Sequence, residues 1–329
     1  MTLDLQQMRE IARGCAWVGE EDGYFCLRRF TERQANAYKA AGEEGLYRRT
    51  FSTAGVRLAF RTDSQTLSFS YRRVAATSRT TAYFDVYVDR LMTDHFGFPA
   101  MQPECGEIDL RFGAGEHTVE ICFPWECAVL LKNVTLEDGA FLKGVHRPRR
   151  LLAFGDSITQ GVYSRHPSLS YICRLADLLD ADLTNKGIGG DMVFPELLCE
   201  AEPNAAPDLI TVAYGTNDWG CRTQEVFLQK YQSFMQRLCN LYEGVPIIAI
   251  TPVWRYDWQK KGTPMGISAN EVGDLIRSAC KGLSGVRVID GWSLIPAHNA
   301  FFYDGVHPND LGFGVYAENL YAKIVNDVL

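Results

Sequence analysis

Up to about residue 146 the chain alternates apolar and polar residues with a period of two. Val56, Leu58 and Phe60 alternate with Arg57, Ala59 and Arg61. Leu67, Phe69 and Tyr71 alternate with Ser68 and Ser70, and Phe84, Val86 and Val88 with Asp85, Tyr87 and Asp89. Val119, Ile121 and Phe123 alternate with Glu120 and Cys122. Side chains of a strand point alternately to its two faces, so each run predicts a strand with one buried face. Turn signals such as Thr62-Asp63-Ser64 and Gly113-Ala114-Gly115 separate the runs. Together they predict an antiparallel, jelly-roll-like β-sandwich over residues 1–146.

The pattern changes after the polar, proline-bearing segment 143–150. Residues 151–154, 209–214, 247–251 and 286–289 are short apolar runs. Between and after them lie stripes at helical spacing. One joins Ile172, Leu175, Leu178 and Leu179; another joins Phe227, Tyr231, Phe234, Leu238, Leu241 and Tyr242. Leu320, Ile324 and Val328 fit a terminal helix. Strand–helix alternation predicts an α/β domain over 147–329, with helices on both faces of a parallel sheet. Such sheets bind ligands at the carboxyl ends of their strands.

Composition narrows the function classes. The 329 residues are 47% hydrophobic and 22% charged, as in an ordinary globular protein. A net charge of −7 with no basic block argues against a nucleic-acid partner. The first ten residues lack the basic start and apolar run of a secretory signal, and no stretch matches a membrane span. A cytoplasmic protein without a membrane partner is expected. The ten cysteines include no Cys-x-x-Cys pair, and their spacing fits no zinc site, so reduced thiols and no metal are expected.

Three distant stretches carry chemistry at strand ends. Gly155-Asp156-Ser157-Ile158-Thr159 offers a serine where the chain turns off a strand, with its own N–H pointing into the site. Gly215-Thr216-Asn217-Asp218 offers a neutral amide suited to a developing oxyanion. Asp304-Gly305-Val306-His307-Pro308 offers a carboxylate that can reach Nδ1 of an imidazole whose Nε2 faces the serine. Nucleophile Ser157, base His307, orienting acid Asp304 and oxyanion donor Asn217 make up acyl transfer through a serine ester, which needs no cofactor. A fourth stretch, Asn185-Lys186-Gly187-Ile188-Gly189-Gly190-Asp191, lets backbone amides approach an anion closely but fails the Gly-x-Gly-x-x-Gly dinucleotide pattern. His166 is the runner-up base, or a substrate contact. The lipase elbow Gly-x-Ser-x-Gly is absent.

These blocks resemble the SGNH (GDSL-type) hydrolases over about residues 150–329. Gly155-Asp156-Ser157-Ile158-Thr159-Gln160-Gly161 is similar to the family's first block, Gly190 to the second, Asn217 to the third, and Asp304 with His307 to the last. The resemblance implies a flavodoxin-like sheet and an oxyanion hole formed by Ser157, Gly190 and Asn217. A sandwich before such a domain is similar in architecture to the second carbohydrate esterase family, which removes acetyl groups from sugars.

The substrate leaves less trace. Thr251-Pro252-Val253-Trp254-Arg255-Tyr256-Asp257-Trp258 should overhang the same sheet end, where Trp254 and Trp258 could stack on a sugar and Arg255 hold hydroxyls. Asp156 and Trp219, beside the catalytic blocks, are further candidate contacts. No long apolar lid is evident. The expectation is an esterase for small acyl groups, acetyl above all, on a small molecule or oligosaccharide. Lipase or thioesterase action, and a non-catalytic carbohydrate-binding protein, are the competing readings. The sandwich should supply a wall of the site or a homo-oligomer contact.

Overall fold

The computed structural model describes residues 1–99, 103–204 and 206–327. Val328, read into the last helix, lies outside them. Two antiparallel sheets precede one parallel sheet. The first holds, in order, Ala12–Arg13, Arg57–Thr62, His117–Cys122, Ala82–Val88 and Leu91–Phe98, with Lys143–Gly144 also paired to Arg57–Thr62. The second holds Trp17–Glu21, Tyr24–Arg28, Cys127–Leu136, Thr66–Ala75 and Cys105–Arg111. Leu58, Phe60, Phe84, Val86, Val119 and Ile121 of one sheet share a core with Leu67, Phe69, Tyr71, Val129 and Leu131 of the other. The period-two residues are thus the inner face of a sandwich.

The opposite face of the first sheet is not left to solvent, as simple alternation implied. Arg57 is buried and paired with both Glu120 and Asp177. Asp85 is fully buried against His166 and Ser168 of the second half. Arg57, Asp85 and Glu120 are therefore junction residues, with charges matched across the junction by Asp177, His166 and Arg147, whereas Arg61 and Asp89 of the same strands are exposed.

The parallel sheet runs in the order Ala181–Asn185, Arg149–Gly155, Leu209–Ala213, Ile247–Ile250, Val286–Ile289. Counted along the chain this is 2-1-3-4-5, the flavodoxin-like order. Alternate residues of one strand feed two cores. Leu152 and Phe154 pack with Phe227, Tyr231 and Phe234 of helix Gln224–Leu241 and Ile276 of helix Val272–Cys280. Leu151 and Ala153 pack with Ile172 and Leu175 of helix Tyr171–Leu178 and with Leu320 and Ile324 of helix Asp310–Asp327. Burial on both sides explains why these strands read as continuous apolar runs. Leu178, read into a buried stripe, is exposed at its helix end.

The N-terminal half also carries helices that periodicity did not show: Leu5–Ile11, Glu32–Ala40 and Glu44–Arg49. They are short, and Glu32–Ala40 buries only Gln34, Ala35 and Tyr38. Phe30, Ala35, Tyr38 and Leu46 join the core on one face of the parallel sheet, so the 30–50 segment packs on the C-terminal half. No described helix is long and apolar enough to cross a membrane.

Candidate active site

Strand Arg149–Gly155 delivers the serine. A Cβ on Gly155 would lie 2.2 Å from Thr159 Oγ1 and 2.9 Å from Ala213 O, so only glycine lets the next helix start this close to the sheet. Asp156 caps that helix, its carboxylate accepting from Ile158 N at 2.9 Å. Ser157 is the helix's first residue and nearly buried, and its N–H has no intrahelical acceptor.

His307 and Asp304 come from the loop before the last helix. Ser157 Oγ donates to His307 Nε2 at 2.8 Å. His307 Nδ1 donates to Asp304 Oδ2 at 2.9 Å. Asp304 Oδ1 also accepts from Val306 N at 3.0 Å and His307 N at 2.8 Å, which fixes the carboxylate. Partial burial pushes the Asp304 carboxyl up, but these bonds from His307 outweigh it and hold it below its ordinary range. Burial pulls the His307 imidazole down; Asp304 opposes this, while the charges of Arg79 and Arg255 add to it, and the net shift is downward. A neutral, oriented imidazole on a serine hydroxyl is an arrangement that can act as a general base.

The glycine loop expected to hold an oxyanion lies alongside Ser157. Gly190 has a left-handed φ of +81°. Asn217 Nδ2 donates one hydrogen to Asp191 O at 2.7 Å, leaving its second for a ligand. Gln160 ties the loop to the nucleophile helix, its Oε1 accepting from Gly189 N at 2.5 Å. Arg29, buried, donates to Asn185 O at 2.6 Å and Gly187 O at 3.1 Å. Arg49 donates to Gly189 O at 2.5 Å. Gln160, Arg29 and Arg49 were not singled out in the sequence; two of them come from the N-terminal half and no motif marks them.

The expected substrate contacts fare differently. Asp156 is buried and committed to its cap, and burial pushes its carboxyl up to about 7. Trp219 is only 2% exposed, with its Nε1 donating to Ile267 O at 2.7 Å, so it is a core residue and not a pocket wall. Trp254 packs on Phe302, and Trp258 meets Trp292 edge-on, both half-buried. Arg255 lies over Trp219 and is paired with Asp257, Nε to Oδ1 at 2.5 Å. The exposed rings are instead Tyr256 and Tyr303, at 61% and 66%. The 254–258 loop does reach the site: Tyr256 N donates to Gly305 O at 2.8 Å.

His166 is not at the serine. Its Nδ1 donates to Asp85 Oδ1 at 2.9 Å and its ring lies 3.8 Å from that of His95, which donates to the same oxygen at 2.7 Å. Ser168 N and Oγ fill Asp85 Oδ2. Asp85, His95 and His166 are the one group among the described residues whose ligand atoms, all within 4.8 Å, could share a cation. Asp85 and His95 of the sandwich meet His166 and Ser168 of the second half here, so the network joins the two halves.

A Ser–His–Asp array at the carboxyl ends of a 2-1-3-4-5 parallel sheet, with a glycine loop and an asparagine beside it, defines an SGNH-type ester hydrolase. Residues 153–315 match the profile of the GDSL-like lipase/acylhydrolase family, which assigns this part of the chain to it. No curated protein sequence matches it. Among solved structures it is similar to a salicylyl-acyltransferase from a tetracycline biosynthetic pathway, with a TM-score of 0.83 at 21% identity over 96% of this chain and 95% of that one. A Bacteroides ovatus protein described as a GDSL-like lipase gives 0.76 at 18%, covering 97% and 96%. An acetyl xylan esterase from the rumen bacterium Butyrivibrio proteoclasticus gives 0.66 at 15%, covering 97% and 96%. At these identities the likeness is one of fold, and it spans both halves.

Proposed function

We propose that the protein is a serine esterase that removes a small acyl group, acetyl above all, from a sugar or short oligosaccharide through an acyl-enzyme on Ser157. The observation that carries this is the unbroken chain from Ser157 Oγ to His307 Nε2 and from His307 Nδ1 to Asp304. Ser157 Oγ attacks the ester carbonyl carbon as its proton passes to His307 Nε2. The oxyanion is held by Ser157 N–H, Gly190 N–H and the free hydrogen of Asn217 Nδ2. The C–O bond then breaks and His307 returns the proton to the departing alcohol. Water repeats the sequence and frees the acid. Asp304 holds the imidazole in the tautomer this requires.

A carbohydrate alcohol is supported by Tyr256 and Tyr303, whose exposed rings flank the Asp304–His307 loop. It is further supported by the shared two-part build of an acetyl xylan esterase and of a Clostridium thermocellum family two carbohydrate esterase seen with cellohexaose. Residues 1–146 act as a sandwich that walls the site, and 147–329 as the catalytic domain. The test compares kcat/KM across acyl lengths from acetyl to octanoyl, then across acetylated monosaccharides and xylo-oligosaccharides. Acetyl should be preferred, and acetylated sugars should exceed aryl acetate. Faster octanoyl turnover would replace this reading with a lipase or thioesterase.

A further inference from the structure

The chain is acidic overall, yet two guanidinium groups, Arg79 and Arg255, act on its catalytic base. Arg79, in the turn between strands Thr66–Ala75 and Ala82–Val88, lies 4.4 Å above the Tyr163 ring. Tyr163 in turn meets the His307 ring edge-on at 5.4 Å and stacks on Tyr303 at 4.1 Å. Tyr163 holds a left-handed φ of 70°, a conformation that costs a bulky residue energy and here aims its ring between Arg79 and His307. Arg49 donates to Gly189 O in the glycine loop.

The nearby carboxylates are spoken for. Asp304 serves His307, Asp257 serves Arg255 and Asp218 serves Arg222. Asp156 and Asp191 are buried, and burial pushes their carboxyls up to about 7 and about 8. Among the described residues neither Arg79 nor Arg49 forms a salt bridge, although Asp191 acts on Arg49 through its charge.

We propose that Arg79, seated on Tyr163, is an anion subsite and that the alcohol half of the ester carries a carboxylate or phosphate. This rests on the esterase reading above. The side of the site follows from chemistry: the base returns its proton to the leaving alcohol, so groups packed against His307 border the alcohol and not the acyl group. A guanidinium resting on an aromatic face keeps its outward N–H groups for a bidentate anion. Arg49 adds to the positive field that draws such a substrate in.

Two matched pairs test this on the wild-type protein. One compares acetylated glucuronic acid with its neutral methyl ester; the other compares acetylated glucose 6-phosphate with acetylated glucose. In at least one pair the anionic form should show kcat/KM roughly 10- to 100-fold higher, the span of one charge-assisted hydrogen-bonded pair. The favoured pair tells carboxylate from phosphate. That ratio should fall towards one at about 0.5 M salt and in Arg79→Met, with Arg79→Lys keeping part of it. The salt series needs no variant, so a poorly folding Arg79→Met leaves the test intact. Ratios near one in both pairs, with the neutral esters still turned over, overturn the anion subsite and leave the esterase standing. No turnover of any pair or of aryl acetate overturns both.

Discussion

Ser157 and His307 lie 150 residues apart in sequence and 2.8 Å apart in space, Oγ to Nε2. One strand end and the loop before the last helix make that contact, so it depends on the fold and not on local sequence. Removing either group should cost several orders of magnitude in kcat, about 10⁴ or more, since members of such an array act as a unit. Ser157→Ala and His307→Ala should each lose turnover of 4-nitrophenyl acetate to that extent while keeping the native circular dichroism spectrum. His166→Ala should keep turnover, because its ring belongs to the Asp85 network.

The pH profile follows from the downward shift of His307. The base is active when neutral. A pKa held below the ordinary value of about 6.5 keeps it neutral further into acid. The acid limb of kcat/KM should therefore fall below pH 6.5, lower than an ordinary histidine would give. Arg79 is one cause of the depression, so Arg79→Met should move the limb upward. A limb that stays in place would mean that Arg79 does not act on His307.

Asn217→Ala should lower kcat by roughly 10²–10³ with little change in KM, the signature of a group that meets the transition state. Asn217→Asp should do no better, since it sets a carboxylate where negative charge develops and loses the donor to Asp191 O. An effect on KM alone would make Asn217 a ground-state contact.

Three of the four candidate blocks were legible because each is a short run fixed to a strand end; the fourth, Asp304–Pro308, was expected at a strand end too but lies in the loop before the last helix, after the final strand Val286–Ile289. The strands before Ser157 and Asn217 showed as apolar runs followed by glycine, as at Phe154-Gly155, whereas Ala181–Asn185 before the glycine loop did not show as one. What surrounds the blocks was not legible. Arg29, Arg49 and Arg79 reach the site from the other half of the chain through long-range packing that no local spacing records. Trp219 misled because an aromatic residue beside a motif looks the same in sequence whether it faces solvent or core. Asp85 likewise read as a solvent-facing strand position, although a carboxylate at a buried junction leaves the same alternating pattern.

Asp191, beneath the oxyanion loop, gives a stability test. Burial raises its carboxyl to about 8, against the hydrogen bonds donated by Tyr38 at 2.8 Å and Tyr214 at 3.1 Å. A folded pKa above the unfolded value of about 3.9 means the fold favours the protonated form. That contribution is complete below about pH 4 and is lost as pH rises through about 8. The wild-type Tm should fall by several degrees between pH 6 and pH 9, and Asp191→Asn should flatten the decline. Parallel curves for the two proteins would show that Asp191 ionises at no cost to the fold.

The most direct measurement is the site of covalent capture. The protein is treated with a fluorophosphonate, its intact mass is recorded, and the modified peptide is sequenced. One adduct per chain, on Ser157, lost in Ser157→Ala and strongly slowed in His307→Ala, is the expected result. An unlabelled protein that still hydrolyses acetyl esters, or an adduct on any other residue, would contradict a serine esterase built on Ser157, His307 and Asp304.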